Sequence, residues 1–119
     1  MLWAVFPGIT NSSGTLVVHI EGNLLEFIGC QLGAQVYSRN REMEFAPTSL
    51  SADDLLARLA SLRHSIPLTL AHIPPERMKM KSPEDVFKTP LSVEDFLTLL
   101  YGHLNWDLGQ TDILRRAPT

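Results

Sequence analysis

Three times in the second half of the chain a serine stands three residues before an aspartate: "SADD" (51–54), "SPED" (82–85) and "SVED" (92–95). In this pattern the serine oxygen accepts from a free amide of the first helical turn, and the carboxylate accepts from the serine's own amide. Each therefore marks a helix start, and Pro83 suits the first helical position, where a missing amide is not needed. The apolar spacing then predicts a helix over 52–64 with Leu55, Leu56, Leu59 and Leu62 along one stripe. It predicts a short helix over 83–88, halted by Pro90, and a third over 93–105 with Val93, Phe96, Leu97, Leu100 and Leu104 inward. "PLTLAHI" (67–73) reads as one further strand.

The first half carries no such signal and reads as strands. "LWAVF" (2–6) is β-compatible and ends at Pro7-Gly8, and "NSSG" (11–14) is a turn cluster. "TLVVHI" (15–20) alternates, with Leu16, Val18 and Ile20 on one face and Thr15, Val17 and His19 on the other. Gly22-Asn23 separates it from "LLEFI" (24–28), as in a two-residue hairpin. "AQVYS" (34–38) and "EMEFA" (42–46) flank Arg39-Asn40-Arg41 as a second hairpin. The expected fold is α+β: an antiparallel β-meander of four to six strands, with two main helices packed on one face. A single domain over 1–119 is expected, strand-rich over 1–46, helix-rich over 50–109, with a mobile tail over 110–119.

Hydrophobic residues are 45% and charged residues 19% of the 119 positions, enough for one core and far from a disordered composition. A net charge of −3 does not favour nucleic acid as a partner. The apolar start "MLWAVFPGIT" lacks a basic flank and is too short for a signal peptide or a membrane span. Cys30 is the one cysteine, so an internal disulfide is excluded and a reducing, cytoplasmic setting is expected. Outside secretion, the Asn11-Ser12-Ser13 glycosylation pattern has no role.

Each chemical candidate has a simpler structural explanation. The acidic pairs Asp53/Asp54, Glu84/Asp85 and Glu94/Asp95 all fall in first helical turns, where negative charge meets the helix dipole. His103 and Asp107 are four apart and could face one metal, yet a metal site needs a third ligand and no second pair has ligand spacing. Cys30 lacks the basic surroundings that would make a nucleophile, and the glycines Gly29 and Gly33 open no helix. No catalytic, cofactor-binding or metal-binding residue is therefore assigned.

The remaining feature is "ERMKMK" (76–81), where Arg77, Lys79 and Lys81 alternate with Met78 and Met80. As an extended edge it would turn methionine to the core and cations outward. As a docking loop it would offer adaptable sulfur and carboxylate-binding cations, with Trp106 as an anchor. An open sheet face bearing Val17, His19, Leu25, Phe27 and Tyr37 would make a concave binding surface. In size, charge and lack of a catalytic signature the chain resembles the small bacterial proteins that neutralise toxins. The expected function is thus a protein-binding module that inhibits one macromolecular partner, such as a toxin. Its contact residues would be Arg77, Met78, Lys79, Met80, Lys81, Trp106, His19 and Tyr37. The alternatives are a small enzyme with a dispersed site at Cys30 or His19/His72, and a homodimer or complex subunit using the open sheet face.

Overall fold

A computed structural model of the chain describes residues 2–46, 50–83 and 90–116. Among these residues there is no strand and no sheet. Helix α1 spans Ser13–Leu24 and continues without a break into a π-helical turn over Leu25–Cys30. A short α2 covers Arg41–Glu44, α3 covers Ala52–Ala71, a 3-10 turn covers Pro75–Lys79, and α4 covers Val93–Arg116. The α+β meander is replaced by three long helices.

The reason is visible in the periodicity of residues 16–28. Leu16, His19, Ile20 and Ile28 are buried and Leu24 and Phe27 are half-buried, the spacing of one helical stripe. Strict alternation held only within six residues, and Gly22-Asn23 interrupted the eye rather than the helix. Ser12, expected in a turn, is the N-cap: its Oγ accepts from the Thr15 amide at 3.1 Å. Gly14 lets the Trp3 ring lie against α1, while the Trp3 indole donates to the Leu50 carbonyl at 3.0 Å.

The other expected strands fail for related reasons. Residues 34–38 have no regular structure, and Arg39-Asn40-Arg41 leads into α2, where Asn40 Oδ1 caps the Met43 amide. Pro67 does not end α3, which runs through it to Ala71, so the expected strand over 67–73 is mostly helix. An interior proline removes one helical hydrogen bond and crowds the carbonyl four residues before it, and α3 carries that cost. His64, expected near a helix end, lies well inside α3. Helix α4 continues through residues 110–116, where a tail was expected. The expected helix over 83–88 lies almost wholly outside the described residues.

The helix starts at 51 and 92 stand. Ser51 and Asp54 form a reciprocal box, Ser51 N–H to Asp54 Oδ2 at 2.8 Å and Asp54 N–H to Ser51 Oγ at 3.1 Å. Ser92 Oγ accepts from the Asp95 amide at 3.2 Å. Residues 80–82 and 91–93 run antiparallel for one bridge, Lys81 with Ser92, which brings the chain back into α4.

The main core joins all three long helices: Ile28 from the π turn, Leu62 and Ile66 from α3, Phe96 and Leu100 from α4. A smaller cluster of Leu32, Ile73 and Val93 closes the far end. An apolar groove between α1, α3 and α4 is lined by Ile20, Leu24, Leu59, Ile66, Leu104 and Leu108. No described helix is long and apolar enough to cross a membrane.

Candidate metal centre

Five side chains that bear charge or titrate meet where α1, α2 and α4 converge. His19 comes from the buried face of α1 and is 7% exposed. Glu44 ends α2, and Arg39 approaches from the segment before it. His103 and Asp107 lie one turn apart on α4, with Asp107 only 4% exposed.

Glu44 organises one side. Arg39 grips its carboxylate with two parallel bonds, Nε to Oε2 at 2.7 Å and Nη2 to Oε1 at 2.9 Å. The same Oε1 lies 3.0 Å from His19 Nδ1. This gripping raises the Arg39 pKa above the usual guanidinium value, the hydrogen bonds to Glu44 outweighing burial. Burial, and then the negative charges of Glu44 and Glu21, likewise raise the nearby Tyr37 phenol. Arg39 also stacks over Phe27, 5.7 Å from the ring centroid. Buried and doubly anchored, Glu44 fixes the ring of His19 and directs its Nε2 the other way.

That other side ends on Asp107. Its Oδ2 is 3.9 Å from His19 Nε2 and 3.3 Å from His103 Nδ1. Yet this buried oxygen accepts no well-directed hydrogen bond among the described residues. The two imidazoles stand edge to face at 5.3 Å between centroids. Donor atoms from His19, His103 and Asp107 all lie within 4.8 Å of one another. A cation bound about 2.0–2.1 Å from each donor in a tetrahedral site would hold the donors about 3.3 Å apart. The 3.3 Å between Asp107 and His103 matches this spacing, and the 3.9 Å between Asp107 and His19 is somewhat longer.

Glu44 is gripped by Arg39, whereas Asp107 Oδ2 has the two imidazoles as its neighbours. The site faces a cavity of about 210 Å³ whose walls include His19, His103, Arg39, Arg41, Phe27 and Phe96. Asn23, Leu99 and Leu100 also line it.

The chain matches no family model, no curated protein and no solved structure.

Of the residues expected to meet a partner, the fold brings none together with the whole set. His19 is buried in the cluster just described, and Tyr37 is half-buried near Glu44 and Glu21. Arg77 is half-buried and donates to the carbonyls of Leu32 and Gln31 at 3.2 and 3.1 Å, closing the end of the π turn. Lys79 pairs with Glu94, and this bond raises its pKa above the usual lysine value. Lys81 bridges to Ser92 through the backbone. Met78 packs on the smaller core cluster, whereas Met80 is exposed. Residues 76–79 thus lie in a 3-10 turn, and only Met80 and Lys81 are extended, at the bridge to Ser92. Trp106 is exposed on α4. Cys30 ends the π turn, half-buried, and His72 Nδ1 lies 2.7 Å from the Leu68 carbonyl.

The His103–Asp107 pair was legible as a ligand spacing. Its third member was not, because His19 had been placed on a strand. The signal for it was a histidine inside an apolar helical stripe, three residues after Leu16.

Proposed function

We propose that this protein binds a divalent transition-metal ion through His19, His103 and Asp107, and that the ion's open coordination positions serve small-molecule chemistry in the adjoining cavity. The observation that carries the reading is the buried Oδ2 of Asp107, which has no well-directed hydrogen bond among the described residues and lies opposite two imidazole nitrogens. Two nitrogen donors and one carboxylate suit zinc, iron, nickel or manganese rather than calcium or magnesium. Three protein ligands are one fewer than a closed structural zinc site has, which is the pattern of a centre that keeps a position for water or substrate.

The surroundings supply what such a centre needs. A metal-binding histidine normally gives its second nitrogen to a carboxylate, which fixes its tautomer and strengthens it as a ligand. Glu44 stands in that relation to His19, and Arg39 holds Glu44 in turn. The ion would act as a Lewis acid on a bound oxygen or sulfur atom. Phe27, Phe96 and Leu100 would exclude water around the reacting group, and the exposed Arg41 would attract a substrate with an anionic end. A cytoplasmic setting is read from the single cysteine.

Titration of chelator-treated protein with zinc, manganese, iron(II) and nickel, followed by calorimetry and thermal unfolding, tests the reading. One ion per chain should bind and raise the melting temperature, as any ligand of the folded state alone must. His19→Ala, His103→Ala and Asp107→Ala should each abolish the stoichiometric binding. If folded wild-type protein binds none of these ions, or binds them equally well after all three changes, the reading fails.

A further inference from the structure

Helix α4 carries a second pattern that the metal centre does not use. Leu99, Trp106 and Ile113 recur every seven residues and are all exposed, Trp106 at 71% and Ile113 at 66%. Gly102 and Gly109 fall between them on the same side, and a β-carbon at either would meet nothing within 4 Å. Glycine inside a helix destabilises it relative to alanine. Within this fold neither glycine makes room for anything.

The row extends at both ends to a charge. Positions 95, 99, 102, 106, 109, 113 and 116 alternate four and three apart, the spacing of a seam between paired helices. Reversed end for end, the row maps nearly onto itself. Asp95 exchanges with Arg116 and Gly102 with Gly109, and Trp106 lies beside the midpoint. A two-fold contact between antiparallel helices needs this reversal symmetry, because each residue must suit its counterpart on an identical surface. Arg116 reaches back to Asp112 at 3.0 Å, and Asp95 is exposed.

We propose that the protein forms a two-fold homodimer through this face of α4, the two helices antiparallel. Trp106 then sits at the centre, and the space over Gly102 and Gly109 receives the two indoles. At either end the acidic first turn of one helix meets the basic last turn of the other, so that both side chains and helix dipoles are complementary. Leu99 belongs both to the seam and to the wall of the cavity, so the second copy lies against that wall. The dimer does not depend on the metal reading.

Sedimentation equilibrium of the full chain over a range of concentration gives the test. Wild type should show a monomer–dimer equilibrium, and Trp106→Ala, a change at an exposed site, should weaken it about 30-fold or more. Asp95→Lys and Arg116→Glu should each weaken self-association, since each sets like charges together at both ends. Mixed in equal amounts, the two variants should form heterodimers in preference to either homodimer, because attraction is restored at both ends. Circular dichroism confirms that each variant keeps its helices. A wild-type monomer at every concentration overturns the proposal, and so does a dimer that ignores Trp106→Ala. A mixture no more associated than its components overturns the antiparallel arrangement.

Discussion

Glu44 occupies the space that a β-carbon on Gly22 would take. Glu44 cannot easily move aside, because Arg39 holds both of its oxygens and His19 one of them. Alanine normally stabilises a helix interior relative to glycine by about 1 kcal/mol. At residue 22 the sign should reverse, with Gly22→Ala costing about 1–3 kcal/mol through overpacking. Gly102→Ala and Gly109→Ala, in open space, should keep the ordinary sign in the monomer. Urea unfolding of the three variants at low protein concentration measures all of them, and a stabilising Gly22→Ala would show that Glu44 is free to leave.

Asp107→Asn should separate stability from binding. A buried carboxylate oxygen without a directed donor costs on the order of 1–3 kcal/mol, and amide replacement removes its charge while keeping its shape. Metal-free Asp107→Asn should therefore be as stable as wild type or more so at neutral pH, while its affinity for the ion falls at least tenfold. Loss of stability without metal would mean that Asp107 serves the fold alone.

Glu44→Gln should act on the metal at one remove. It keeps an acceptor for His19 Nδ1 but loses the negative charge that orients the ring and makes it a stronger ligand. Partners of this kind typically change affinity by about 10–100-fold. Calorimetry should find the stoichiometry unchanged and the affinity lower; an affinity equal to wild type would detach Glu44 from the centre.

The start of α3 should give a pH signature. Hydrogen bonds from the Ser51 amide, and then from its hydroxyl, hold the Asp54 carboxyl below the ordinary aspartate range. The unfolded chain thus binds this proton more tightly than the folded one, and stability rises with pH. The contribution is complete above about pH 4 and is lost as pH falls through the lowered folded value. The stability difference between wild type and Asp54→Asn should therefore narrow on acidification through that window. Ser51→Ala should cost about 0.5–2 kcal/mol at neutral pH, and a null effect there would leave the cap without energetic weight.

Where the sequence could be read, a local rule with a fixed offset was at work. Ser51–Asp54 and Ser92–Asp95 give helix starts because a cap needs only four neighbouring residues. The first half misled because its apolar residues satisfy two periods at once. Over 15–20 alternation fits as well as a helix does, and only the longer window through Phe27 and Ile28 separates them. Pro67 and Gly22 then acted as false punctuation, one tolerated inside a helix and the other required by a neighbouring side chain. His103 and Asp107 could be paired because they share a helix face. His19, Arg39 and Glu44 could not, since nothing in a strand-based reading brings residue 19 to α4. The alternation of "ERMKMK" suits an extended segment, but only its last two residues are extended. Arg77 is instead bound to two carbonyls of the π turn, a long-range contact with no local mark.

Because His19 stands on the first long helix and Asp107 far along the last, the pocket between them has no existence in any partial chain. The chain must extend through Asp107, well into α4, before the two imidazoles can face one carboxylate. An ion captured there would join α1 to α4 across a long stretch of chain, as a disulfide would. Its removal should loosen α1 from α4 before it disturbs the apolar contacts of α3.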